Sequence, residues 1–165
     1  MNMQKKICPL SNCTYVNLEQ IDSIFYKNSG KSFSNNDEKM NFKNKWLAPY
    51  FDNEKLFYCM IINGNVVGYI NGDIKTENIH DEFVNFLQDF PAHLHINISQ
   101  DFHGIGLGAE LIKYFYEVLR ENKIQGVHIV TSPISRNVKF YERNGHRFTR
   151  VSSCQRYLFM GKSFS

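Results

Sequence analysis

Residues 92–123 read AHLHINISQDFHGIGLGAELIKYFYEVLRENK, where an alternating apolar pattern gives way to three glycines and then to a helical stripe. Gly104, Gly106 and Gly108 occupy every second position. Leu107, Leu111, Ile112, Phe115, Val118 and Leu119 then share one face of the helix that follows. A strand, a glycine-rich loop and a helix N-terminus in succession make a receptor for anions. The first-turn N–H groups lack partners within the helix, the helix dipole adds partial positive charge, and glycine lets a ligand approach the backbone. The stretch therefore predicts a phosphate or pyrophosphate ligand, against the alternative of a tight turn with no ligand. A P-loop would close on Lys followed by Ser or Thr, whereas Gly108 is followed by Ala109 and Glu110. A dinucleotide loop would be followed by an acidic strand end at a set distance, and none is found.

The rest of the chain supplies a sheet for this unit to join. NLEQIDSIFYKNSG places Leu18, Ile21, Ile24 and Phe25 at helical spacing and stops at Ser29-Gly30. A second helix is expected from about Ser34–Asp37 through MNFKNKWLAPYF, broken at Pro49. LFYCMII and NVVGYINGDI read as strands joined by Asn63-Gly64, the dipeptide of a tight hairpin. Residues 75–90 carry no clear pattern. After the long helix come a strand GVHIVTS, a short helix in SRNVKFYERNG, and a terminal strand pair HRFTRVSS and QRYLFMG. The order α-α-β-β-β-α-β-α-β-β predicts an α/β (α+β) fold, a single domain over residues 1–165 with helices packed on one sheet.

Composition narrows the function classes. The net charge is only +3, with 19 Lys and Arg scattered among 16 acids, which argues against nucleic acid as partner. No window approaches the roughly 20 apolar residues of a membrane span, and MNMQKKICPLSNC has no signal-peptide run. Cys8, Cys13, Cys59 and Cys154 form no metal-ligand spacing, so no metal is expected and the thiols read as reduced in a cytoplasmic protein.

The glycine loop has a companion downstream. His103-Gly104-Ile105-Gly106-Leu107-Gly108 resembles the acetyl-CoA signature Q/R-x-x-G-x-G/A of the GNAT superfamily of N-acetyltransferases, with His where Gln or Arg is usual. Ser135 to Phe148, SRNVKFYERNGHRF, resembles the superfamily's second signature, N-x-x-A-x-x-F/L-Y-E-x-x-G-F, with its last spacing lengthened by His146-Arg147. WLAPYF, VVGYINGDIKT and PAHLHINIS are further similar to bacterial GNAT relatives of the acetyltransferase-like domain of eukaryotic O-linked N-acetylglucosaminidase, over roughly residues 45–150.

The resemblance implies a mixed, mostly antiparallel sheet whose central strands AHLHINIS and GVHIVTS splay, with the acetyl-pantetheine arm between them. Backbone groups of Ile96 and Ile98 would pair with the arm, one N–H serving the thioester oxygen. N–H groups from His103, Gly104, Ile105, Gly106, Leu107 and Gly108 would hold the pyrophosphate, His103 adding a side-chain donor. Asn137 would contact the pantetheine and Tyr141 would protonate the departing thiolate, a transfer from a phenol near ~10 to a thiol near ~8.5. For the base that takes the amine proton, His95 and Asp73 lead. His93 shares a strand face with His95, and Asp101 is expected to cap the loop.

The sequence names no acceptor. Trp46, Tyr50 and Phe51 are candidates to line its cleft, and a small-molecule or peptide amine fits, without nucleic acid or membrane and with a homodimer left open. The leading expectation is an acetyl-CoA-dependent N-acetyltransferase acting by direct attack. A non-catalytic acyl-CoA-binding or interaction module is the alternative.

Overall fold

The computed structural model describes residues 4–52 and 54–165. Its elements run β1 (Lys5–Pro9), α1 (Tyr15–Asn28), α2 (Asn36–Trp46), β2 (Phe57–Ile62), β3 (Asn65–Asp73), β4 (Ala92–Ile98), α3 (Leu107–Glu121), β5 (Gly126–Thr131), α4 (Val138–Arg143), β6 (Phe148–Val151) and β7 (Leu158–Ser163). The seven strands form one mixed sheet in the order β1-β2-β3-β4-β5-β7-β6. The pairs β1–β2, β2–β3, β5–β7 and β6–β7 are antiparallel, while β4 and β5 run parallel.

One strand was not expected. KKICP pairs with β2 from Lys5↔Ile62 to Pro9↔Tyr58 and forms an edge of the sheet. Two lysines and a donor-less Pro9 suit an edge, where ladder bonds are needed on one side only. The hairpin behaves as its sequence predicts: Asn63 and Gly64 have φ of 50° and 84°, the paired positive values of a type I′ turn. Residues 75–90 contain a 3-10 turn, Asp81–Gln88, that buries Phe83.

The chain packs as two compact units. One comprises the chain up to Asn71 together with Ile96–Leu111, the other Gly72–His95 with Ile112–Ser165. In the first, Ile21, Ile24 and Phe25 of α1 pack with Leu47, Phe57, Cys59, Ile61 and Tyr69. Helix α1 begins at a capping box, Thr14 with Asn17, and the Asn17 amide also donates to Gly64 O of the hairpin (3.0 Å). Helix α2 has no buried residue and attaches through Phe42, stacked on Phe25, and through the Lys43–Asp22 ion pair. Phe51 stacks on Phe57 with ring centroids 5.5 Å apart, which makes it a packing residue, whereas Trp46 is exposed.

The second unit is centred on Phe83, Phe90 and Phe159, with Phe86 and Phe148 against them. Ile112, Phe115, Tyr116 and Leu119 of α3 are buried, while Val118 of the expected stripe is only half-buried. At Gly72 of β3 a Cβ would stand 2.1 Å from His93 O, so only glycine admits β4 at that distance.

Candidate functional site

In the first unit β4 ends at Ile98 and the chain turns through Gln100–Phe102 into the glycine loop. Ser99 N–H donates to Val67 O (2.8 Å), Phe102 N–H to Ser99 O (2.9 Å) and His103 N–H to Gln100 O (3.2 Å). Gly104 and Gly106 then adopt φ of 78° and 89°, the left-handed region where a side chain is strained. A Cβ at either would meet no atom within 4 Å, so backbone sign rather than crowding selects glycine, and the space over the loop is open. The ladder of α3 starts with Glu110 N–H to Gly106 O (3.1 Å). The six N–H groups from Gly104 to Ala109 have no acceptor among the described residues. Six consecutive free donors at the positive end of a 15-residue helix are an anion receptor of the expected kind.

Two expectations about the loop change. His103 was expected to offer its ring to the pyrophosphate, but its Nε2 lies 2.8 Å from Ile98 O and must carry the proton to donate there. Strand-end carbonyls need donors, and this one receives two, since Asn28 Nδ2 is also 2.8 Å away. The Ile98 carbonyl is thus occupied, and of Ile98's two backbone groups only the N–H can serve a ligand. Asp101 caps nothing: its carboxylate makes no hydrogen bond among the described residues, and the 3-10 turn has no side-chain cap.

The parallel pairing of β4 with β5 is confined to Ala92↔Val127 and His93↔His128. Among the described residues no pairing with β5 is registered after His93. Ile96 and Ile98 both lie half-buried beyond that point.

In the second unit this register gathers three imidazoles. His93 lies with its ring centroid 5.8 Å from that of His95 and 6.1 Å from that of His128. His93 Nδ1 is 2.9 Å from Thr76 Oγ1, and His128 Nδ1 is 2.6 Å from Phe90 O. Burial, then the neighbouring imidazoles of His93 and His128, push the His95 pKa down to about 4. Burial likewise brings His128 to about 4. For His93 burial again lowers the pKa, and the Asp73 carboxylate opposes it. Asp73 itself accepts from Lys75 N–H (3.0 Å) at the end of β3. All three rings are therefore neutral at neutral pH, with lone pairs but little basicity. The sequence points to His93 and His95 by their alternation; His128 and Thr76 join them only through strand register and a turn of the unpatterned stretch.

Tyr141 lies on α4 and is 6% exposed, its ring packed edge-on against His146 and Phe140 at 5.2 and 5.3 Å. Burial holds its phenol well above the usual range, so it stays protonated. No described residue hydrogen-bonds its hydroxyl, which leaves that proton for a ligand. Tyr141 N–H donates to Asn137 O (3.1 Å), which fixes the two residues one turn apart. Asn137 Oδ1 accepts from Thr131 Oγ1 (3.1 Å), so the amide N–H₂ is the end it can offer. Behind Tyr141, His146 Nδ1 is 3.2 Å from the Tyr116 hydroxyl, a buried pair with no sequence signal.

Among the described residues no group of three or more His, Cys, Asp or Glu could hold a metal ion, and no helix is long and apolar enough to cross a membrane.

The sequence model of the acetyltransferase (GNAT) family matches residues 18–146. No curated protein matches the chain. Among solved structures, one described as SsHAT superposes with a TM-score of 0.78 at 18% identity, covering 98% of this chain and 99% of that one. The PaiA N-acetyltransferase from Thermoplasma acidophilum, in complex with coenzyme A, gives 0.66 at 14% identity over 98% and 100%. The ribosomal-protein alanine N-acetyltransferase from Escherichia coli gives 0.63 at 16% identity over 98% and 95%. At these identities the structures establish likeness of fold.

Proposed function

The chain belongs to the GNAT acetyltransferase family, and from that premise we propose that it moves an acetyl group from acetyl-CoA to a primary amine by direct attack. The observation that carries the reading is the row of unpartnered N–H groups from Gly104 to Ala109 at the head of α3. A pyrophosphate is the group of coenzyme A that such a row fits. Coenzyme A in the Thermoplasma acidophilum N-acetyltransferase of the same fold supports the cofactor.

In this reading the amine nitrogen attacks the thioester carbon, and the carbonyl electron pair moves onto oxygen, stabilised by a β4 N–H. Collapse breaks the C–S bond, and sulfur leaves with the proton of Tyr141. His95 takes the proton that nitrogen loses. An imidazole at about 4 cannot deprotonate a free ammonium near ~10.4, a transfer about 9 kcal/mol uphill. The base therefore acts on the far more acidic ammonium of the tetrahedral adduct, and the acceptor enters as the neutral amine. Asp73 supports the imidazoles through His93. Within the family we place the chain with the bacterial relatives of the acetyltransferase-like domain of O-linked N-acetylglucosaminidase, acting in the cytoplasm on a small-molecule or peptide amine. The weak basicity of His95 favours the second reading, a module that binds acyl-CoA without turnover.

The test is titration calorimetry of coenzyme A into wild type and Gly106→Ala, with thiol release from acetyl-CoA across a panel of amines. Wild type should bind, and Gly106→Ala, strained at a positive φ, should bind about tenfold more weakly, a difference of about 1.4 kcal/mol. Binding without turnover would favour the second reading; no binding would refute both.

A further inference from the structure

Asn97 lies on β4 between Ile96 and Ile98, the two residues whose backbone groups are assigned to the acetyl-pantetheine arm. Among the described residues no pairing of β4 with β5 is registered after His93, so the end of the strand depends on β3 and on side chains for its position. Ser99 N–H donates to Val67 O of β3 (2.8 Å), and Asn97 O lies 3.1 Å from where a Cβ on Gly68 would stand. Backbone groups of an extended strand alternate in direction, so the N–H and C=O of Ile98 point away from β3. Two donors occupy the C=O, Asn28 Nδ2 and His103 Nε2, each at 2.8 Å. The N–H is left for a ligand.

The Asn97 side chain is bound at both ends. Its Nδ2 donates to the Tyr69 hydroxyl (2.9 Å), and its Oδ1 accepts from Asn28 Nδ2 (3.3 Å). Donor and acceptor chemistry fixes both amides. Ile98 O can only accept, so the Asn28 atom beside it is the nitrogen; that nitrogen needs an oxygen at Asn97, which turns the Asn97 nitrogen to Tyr69. Tyr69 is a firm anchor, 1% exposed and stacked on Phe57 at 5.5 Å in the core of the first unit. Asn28 is the last residue of α1, so the network ties the end of β4 both to β3 and to that helix.

We propose that Asn97 is a positioning residue, which holds the end of β4 so that the Ile98 N–H donates to the thioester oxygen of bound acetyl-CoA. The role rests on the acetyl-transfer reading above and adds the side chain that aims its oxyanion donor. A side chain clamped at both ends restrains the Asn97 backbone, and the planar peptide that carries the Ile98 N–H begins at Asn97. Without the clamp that N–H would swing with a strand end that has no registered partner on its other side. The Asn97 amide moves no proton and touches no reacting atom; it acts through the backbone.

The experiment compares the full chain as wild type, Asn97→Ala and Tyr69→Phe. It reads acetyl-CoA affinity by calorimetry, thiol release across a panel of amines, and infrared difference spectra of bound acetyl-CoA with and without carbon-13 at the acetyl carbonyl. In wild type the carbonyl band should lie below that of free acetyl-CoA, since a donor on the oxygen weakens the C=O bond. Asn97→Ala should lose most of that downshift and lower kcat about tenfold, part of the ~10²-fold that losing an oxyanion donor outright costs, with Kd within about threefold. Tyr69→Phe keeps the ring and removes one anchor, so it should act in the same direction, and the double variant should be no slower than Asn97→Ala because both act through one amide. A downshift that survives in both variants, or none in wild type, would overturn the role of Asn97 and leave acetyl-CoA binding standing. Failure of wild type to bind acetyl-CoA would overturn the acetyl-transfer reading and this role together. The band decides even where no amine is turned over, and Tyr69→Phe decides if Asn97→Ala does not fold.

Discussion

Replacing Tyr141 by Phe should separate stability from catalysis, because only catalysis depends on the hydroxyl. The ring is 6% exposed and packs edge-on against His146 and Phe140, contacts that Phe reproduces. The hydroxyl has no hydrogen-bond partner among the described residues. The hydroxyl is not among the buried side-chain atoms left without a partner, so it reaches solvent and its removal should change stability by less than about 1 kcal/mol. For a chain of this size that keeps the melting temperature within about 2–4 °C of wild type. Turnover should instead fall about 100-fold, the usual scale for losing a general acid, while coenzyme A affinity stays within about twofold. Thermal melts, titration calorimetry and thiol release on one preparation give all three numbers. If turnover stays within about twofold of wild type, the acid role is wrong. A melting temperature lower by more than about 4 °C would mean that the hydroxyl supports the fold.

Acidification should destabilise the fold well above the carboxylate range. His128 and His146 are held neutral by burial, at about 4 and about 3, whereas an unfolded imidazole titrates near ~6.5. The unfolded chain thus binds protons that the folded chain refuses, and stability is lost as pH falls from ~6.5 toward ~4. Between pH ~7.5 and ~5.5 each should remove about 1.4 kcal/mol, and equal urea midpoints at the two pH values would refute this. Gly72→Ala should destabilise by about 3 kcal/mol or more, since its Cβ would stand 2.1 Å from His93 O, and a thermal melt checks it. Asn28→Ala removes a donor from Ile98 O and should lower stability by about 1–2 kcal/mol and weaken coenzyme A binding through the loop; unchanged affinity would show that Asn28 serves α1 alone.

What could be read from the sequence was whatever the chain decides locally. Asn63-Gly64 fixes its turn with two φ values, and the α3 stripe buries the residues its period selects apart from the half-buried Val118. Gly104 and Gly106 announce a loop of left-handed backbone because a side chain is strained at those angles. Distant partners stayed hidden. KKICP is too short and too charged to declare a strand, and only its register with β2 makes it one. His128 reaches His93 through parallel pairing, and Thr76 reaches it from a stretch without period. His103 was assigned by analogy to the ligand, but a strand-end carbonyl takes its proton first.

The place of β7 bears on how the chain is made. It lies between β5 and β6, although both precede it in sequence. A ribosome that has delivered β6 has therefore produced two strands that are not neighbours in the finished sheet and whose common neighbour is still to come. Until residues 158–163 emerge, the edges of β5 and β6 stand open, with the Phe159 position of the aromatic core unfilled. Such edges attract foreign strands. The nascent chain is most dependent on chaperones in that interval.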